Sequence, residues 1–143
     1  MNIREASLAE LVSVHNQISE LSPIANSDYF AARIGDKARL ALIAEINSVP
    51  VAYKLGYWIS DHVFYSWLGG VNPAYRKQGI AKQLLLEQER RVVAQGAKEI
   101  RVKSMNQYRP MLQLLIAQGY DITGTETTVQ GEIKIHFMKK FCQ

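Results

Sequence analysis

Val71-Asn72-Pro73-Ala74-Tyr75-Arg76-Lys77-Gln78-Gly79-Ile80-Ala81-Lys82 is the stretch around which the rest of the chain can be organised. Before it, Val63 to Val71 is rich in aromatic and β-branched residues and reads as a strand. After it, Ile80, Leu84, Leu85, Gln88 and Val92 recur at helical spacing up to Gly96, which predicts a long amphipathic helix over Gly79 to Gln95. A strand therefore ends, Pro73 prevents further pairing, a basic loop follows and a glycine opens a helix. The first turn of a helix leaves backbone N–H groups without partners, and the macrodipole adds partial positive charge there. A pyrophosphate placed at that point accepts several N–H bonds at once. Gly79 lets the backbone approach the phosphates, Ala81 keeps the next turn uncluttered, and Arg76, Lys77 and Lys82 supply charge. A glycine at a helix start is common by itself; its position between an apolar strand and a long amphipathic helix gives the motif its weight.

Toward the N-terminus, Asn2 to Ala6 reads as a short strand. Ser7-Leu8-Ala9-Glu10 forms a capping box that opens a helix to about Leu21, with Leu8, Leu11, Val12, His15 and Ile18 on one face. Ser27 is expected to cap a second short helix, stopped near Gly35. Ala38 to Ile46 and Val51 to Ile59 are strands, with Asn47-Ser48-Val49-Pro50 and Ser60-Asp61-His62 as hairpin turns. Gly69-Gly70 predicts a bulge or a close backbone approach in the next strand. Toward the C-terminus follow a strand over Glu99 to Ser104, a helix over Met111 to Gln118, and closing strands over Tyr120 to Thr128 and Glu132 to Phe141. The sum is a mixed α/β chain: six or seven strands in a mostly antiparallel sheet with helices on both faces.

A length of 143 residues, without linker, repeat or low-complexity run, predicts one domain over 1–143. An apolar content of 48% with 21% charged residues excludes a disordered chain, and no apolar run approaches a membrane span. Met1 to Glu5 lacks the apolar core of a signal peptide, and the single cysteine, Cys142, cannot form a disulfide within the chain, so a cytoplasmic location is expected. The net charge of +4 is uneven: residues 1–70 carry 5 Lys/Arg against 7 Asp/Glu, and residues 71–143 carry 12 against 6. The basic half suits nucleic acid or a nucleotide-bearing cofactor. The second is the expectation, because one pyrophosphate already accounts for Arg76, Lys77 and Lys82. His15, His62 and His136 sit on separate elements without ligand spacing, so no metal is expected.

Val71 to Leu86 resembles the acetyl-CoA-binding motif of the Gcn5-related N-acetyltransferases: Arg or Gln, two residues, Gly, one residue, then Gly or Ala, between the fourth strand and the third helix. The order of elements from Asn2 to Phe141 is also similar to that family's, and Gln118-Gly119-Tyr120 resembles the Gly-aromatic pair that closes its following helix. Trp67-Leu68-Gly69-Gly70-Val71-Asn72-Pro73 resembles a less-studied bacterial subgroup, which implies no particular substrate. By this resemblance Arg76, Lys77, Gln78, Gly79, Ile80, Ala81 and Lys82 would cradle the pyrophosphate of acetyl-CoA. The backbone from Gly69 to Val71 would hydrogen-bond the pantetheine, as would Asn106. The Gly69-Gly70 bulge would splay the fourth and fifth strands. The activity implied is direct acetyl transfer to a primary amine of a small molecule or protein; the alternative is an acyl-CoA-binding module with little catalysis. No nucleic acid or membrane partner is implied, and a homodimer is left open.

Such a transfer needs an amine without its extra proton, a stabilised thioester oxygen and a protonated leaving thiol. Many relatives place a Tyr as acid four residues before the Gly of the Gly-aromatic pair; here that position is Leu115, which cannot donate a proton. Tyr108, just beyond Asn106, is the nearest substitute. For the base, Glu45 is the one carboxylate within the strands expected to flank the acceptor, beside Tyr53, Tyr57, Tyr65 and Ser66. A water relay is the other route.

Overall fold

The computed structural model describes residues 1–18 and 26–141. Along the chain run β1 (Asn2–Glu5), α1 (Leu8–His15), α2 (Ser27–Ile34), β2 (Arg39–Ile46), β3 (Val49–Trp58) and β4 (Val63–Val71). A 3-10 turn (Pro73–Tyr75) then precedes α3 (Ile80–Ala94), β5 (Glu99–Met105), α4 (Arg109–Ala117), β6 (Asp121–Thr127) and β7 (Ile133–Lys140). The strands form one seven-stranded sheet in the order β1-β2-β3-β4-β5-β7-β6. All neighbours are antiparallel except β4 and β5, which α3 joins as a crossover.

Alternation along the strands divides the buried side chains between two faces. On one, Leu42, Ala52, Phe64, Ile100, Val102 and Phe137 pack against Ile80, Leu84, Leu85 and Val92 of α3 and Leu112 and Leu115 of α4. On the other, Ile43, Tyr53, Leu55 and Tyr57 pack against Leu8, Leu11 and Val14 of α1 and Phe30 and Ile34 of α2.

The capping box at Ser7 is complete: its hydroxyl accepts from the Glu10 N–H, and the Glu10 carboxylate accepts from the Ser7 N–H. α1 stops at His15, short of the expected Leu21; residues 19–21, like Cys142, lie outside the described residues. The cap of α2 is Asn26 rather than Ser27, since the Asn26 carboxamide oxygen, one residue earlier, already accepts from the Tyr29 N–H at 2.9 Å. The β2–β3 turn is tighter than expected. Ile46 pairs with Val49, so Asn47 and Ser48 alone make the turn, both at positive φ as a two-residue primed turn requires.

The bulge in β4 is also displaced from its expected position. Gly69 and Gly70 pair regularly with Lys54 and Tyr53, whereas Leu68 faces Leu55 and Ser66 faces Gly56, leaving Trp67 as the extra residue. The deciding glycine is on the partner strand: a Cβ on Gly56 would run into the ring of Phe64 and the Tyr65 carbonyl. Its absence lets β4 close onto β3 there.

Candidate active site

The parallel β4–β5 ladder runs only from Val63/Glu99 to Ser66/Val102, although β4 continues to Val71 and β5 to Met105. Beyond Ser66 the two strands part, beside the Trp67 bulge, because β4 stays in register with β3 while β5 stays in register with β7. The result is a gap in the sheet whose β4 wall is the backbone of 67–71 and whose β5 wall is the backbone of 103–105.

At the wide end of this gap lies the basic loop. Asn72 caps the 3-10 turn through its carboxamide oxygen on the Ala74 N–H and donates to Gln17 beyond α1, which ties the loop to the other face of the sheet. The Arg76 Nε donates to the Val71 carbonyl at 3.2 Å and folds the loop back over the end of β4. Lys77 (φ 63°) and Gly79 (φ 79°) both adopt left-handed backbone. Turns that alternate right- and left-handed residues gather their N–H groups into an anion-binding concavity. Gly79 is the N-cap of α3 and supplies no side-chain acceptor, so the first-turn amides of this 15-residue helix remain uncapped. A Cβ on Gly79 would meet nothing within 4 Å; the requirement for glycine is its φ and the open approach. Arg76, Lys77, Gln78 and Lys82 are exposed around it, Ala81 is half-buried, and Ile80 is buried as the first anchor of α3.

At the narrow end, the Ser66 hydroxyl is buried and has no hydrogen-bond partner, as do both amide atoms of Gln88 on α3. Lys54, also buried, brings its Nζ within 3.5 Å of where a Gly69 Cβ would stand. Burial pulls its ammonium down to a pKa of about 8, against the opposing attraction of Glu89. Glu89 in turn accepts from the Tyr120 hydroxyl at 2.7 Å and from Lys139 at 3.3 Å. Asn106 and Tyr108 follow the β5 wall directly. The Asn106 N–H donates to the Ile133 carbonyl, and Tyr108 is half-buried at the N-cap of α4, its N–H donating to the Met105 carbonyl. Leu115 is fully buried in the α3-side core.

Glu45 is placed elsewhere. It accepts from Arg4 at 3.3 Å and Asn2 at 3.4 Å, bracing β1 against β2, with β3 and β4 between it and the gap. The Tyr53 hydroxyl meets His15 Nδ1 at 2.7 Å within the α1-side core, and burial pushes its phenol up. Tyr57, Tyr65 and Trp67 form an edge-to-face cluster on the α2 side of the bulge, with the Arg33 guanidinium 4.9 Å above the Trp67 ring. Among the described residues, no three His, Cys, Asp or Glu side chains gather as a metal-ligand set, and no helix is long and apolar enough to cross a membrane.

The fold is a mixed α/β domain with a gap in its sheet beside an uncapped helix start. The sequence profile of the acetyltransferase (GNAT) family matches residues 7–120, and the chain belongs to that family. It is an acyltransferase by that membership. The fold is shared with solved structures of low sequence identity. Ard1 from Thermoplasma volcanium superposes with a TM-score of 0.84 at 14% identity, covering 99% of this chain and 98% of that one. A ribosomal-protein-alanine N-acetyltransferase from Brucella melitensis gives 0.80 at 17% identity, covering 99% and 100%. The acetyl-CoA complex of yncA, a putative acetyltransferase from Salmonella typhimurium, gives 0.79 at 16% identity, covering 97% and 92%. No curated protein matches the chain in sequence.

Proposed function

We propose that the protein is an N-acetyltransferase that uses acetyl-CoA and transfers the acetyl group directly to a primary amine of a small molecule or protein, in the cytoplasm. The observation that carries this reading is the gap between β4 and β5 ending at the uncapped start of α3. Its features fit the cofactor part by part. The left-handed turns at Lys77 and Gly79 and the amides of Ile80, Ala81 and Lys82 suit a pyrophosphate, with Arg76, Lys77 and Lys82 adding charge beside Gln78. The β4 backbone from Gly69 to Val71, unpaired on its β5 side, suits the amides of a pantetheine, with Asn106 next in the chain after the end of β5. The orphaned Ser66 hydroxyl at the vertex suits a polar group there.

Acetyl-CoA supplies an acyl group activated as a thioester: the amine lone pair forms the N–C bond, the C–S bond breaks, and the electron pair leaves with sulfur. The chain's own residues hold the donor, exclude water and move protons. With Leu115 in the core, Tyr108 is the side chain we assign to return a proton to the leaving sulfur.

The test is calorimetric titration with acetyl-CoA of the parent, Gly79→Asn and Gly79→Val, with thiol release followed over an amine panel. Asn tolerates the left-handed backbone but adds a side chain beside the phosphates, so Gly79→Asn folds and binds at least tenfold more weakly. Gly79→Val, which strains the turn as well, loses binding. Unchanged affinity in Gly79→Asn removes the cofactor from this loop.

A further inference from the structure

On the face of the sheet that carries α1 and α2, strands β5, β6 and β7 assemble a group that the sequence scatters. Phe137 and Val102 pair across β7 and β5 and point into the α3-side core. Their neighbours His136 and Lys103, also a cross-strand pair, therefore point to the opposite face. Lys103 is the first β5 residue past the end of the β4–β5 ladder, so this pair stands level with the vertex of the gap. On β6, a bulge at Thr123 sets Gly124 opposite His136 and brings Glu126 in diagonally. His136 Nε2 lies 2.8 Å from Glu126 Oε1, and Lys103 Nζ reaches the same carboxylate at 3.4 Å. A Cβ on Gly124 would meet nothing within 4 Å, so the imidazole has open space beside it.

We propose that His136 is the general base that takes the proton from the acceptor ammonium, and that Glu126 is its positioning residue. The inference rests on the acetyltransferase reading above. A carboxylate on Nε2 fixes the proton there and leaves Nδ1 as the basic atom, while the negative charge stabilises the imidazolium that forms. His136 is half-exposed, as a base that must meet incoming substrate has to be. Strands lie about 5 Å apart, so an amine above the vertex is within reach of the β7 imidazole directly or through one water. Lys103 reaches across β7 to meet Glu126, so its stem passes beside His136 and its charge is neutralised by the same carboxylate.

The charged and titratable groups facing His136 are Lys103 and Arg101 from β5, Glu126 from β6, Lys134 from its own strand and the Tyr65 phenol from β4. The Glu126 carboxyl is held below the ordinary range, first by the hydrogen bond from His136 and further by Lys103 and Lys134. Tyr65 is pushed up to about 12, chiefly by burial, and senses both Arg33 and Glu126. The step balances: one proton passes from the ammonium to Nδ1 and on to solvent, freeing the nitrogen lone pair. A second proton, lost from nitrogen after the N–C bond forms, replaces the one that Tyr108 gives to the departing sulfur.

The experiment measures kcat/KM from pH 6 to 10 with a peptide bearing a free N-terminal alanine, a lysine peptide, a polyamine and an aminoglycoside. It is run on the parent, His136→Gln and Glu126→Gln, with acetyl-CoA affinity by calorimetry and the imidazole tautomer by nitrogen NMR. His136→Gln is expected to bind acetyl-CoA as the parent does and to lose about 100-fold in kcat/KM at pH 7. That loss shrinks toward pH 10, most for the N-terminal alanine peptide, whose α-amine is neutral there without help. Glu126→Gln is expected to lose about tenfold, to move the acidic limb of the profile to lower pH and to lose the Nε2–H tautomer. An active His136→Gln with the parent's profile overturns the proposal, as does a Glu126→Gln whose limb and tautomer are unmoved. If the parent binds acetyl-CoA yet acetylates none of these amines, the acetyltransferase reading is what fails.

Discussion

Leu115 stands where the family resemblance leads one to expect an acid, and Tyr108 is the residue proposed in its place. The position expected to carry the acid is filled by a leucine that anchors α4 in the core, and the nearest phenol stands at that helix's N-cap. If Tyr108 protonates the leaving sulfur, Tyr108→Phe lowers kcat at least tenfold and leaves acetyl-CoA affinity within twofold. A packing role would show the opposite pattern, with a lowered unfolding midpoint and an intact rate. Stopped-flow thiol release beside thermal unfolding separates the two. Glu45 illustrates why a carboxylate in the right strand is weak evidence for a base. Its partner Arg4 comes from β1, more than forty residues away in sequence, and only the β1–β2 pairing makes the ion pair visible.

Between β3 and α3 the fold carries a cost. Lys54 is a buried ammonium, and Glu89, the acid whose charge it feels, is already held by Tyr120 and Lys139. Its folded pKa of about 8 lies below the ordinary 10.5, so the unfolded chain binds more protons between those two values. Stability is then fully present above the upper value, declines as pH falls, and stays low below the lower value. Lys54→Met, which keeps the stem and removes the charge, is expected to stabilise the fold at pH 7 by about 1–3 kcal/mol. Denaturant unfolding at pH 7 and pH 10 tests this, because the gain must fade across that interval. The elements themselves were largely legible in the sequence, since the capping box at Ser7, the glycine opening α3 and the apolar periodicities are local signals. The position of the β4 bulge was not: Trp67 rather than Gly69-Gly70 is set out of register, by the strand opposite, where Gly56 admits Phe64. The His136–Glu126 pair was hidden for the same reason, since a bulge at Thr123 decides which β6 residue meets the imidazole.

At the scale of the whole molecule, the sheet is two half-sheets, β1 to β4 and β5 to β6, joined by four paired positions and the α3 crossover. Amides of residues 67–71 on the side facing β5, and those of 103–105 facing β4, have no rung to close onto, so they should trade their hydrogens with deuterated solvent far faster than the paired 63–66 segment. A pantetheine lying between the two walls would act as the missing rungs. Adding CoA should then slow exchange on both walls together, by at least tenfold, while leaving the β2–β3 hairpin unchanged. Slowing confined to the loop at 76–82 would mean that the phosphates are held but the seam stays open. The short ladder thus makes the molecule a split ribbon whose closure is left to its ligand: catalytic competence and mechanical continuity of the sheet would arrive in the same binding event.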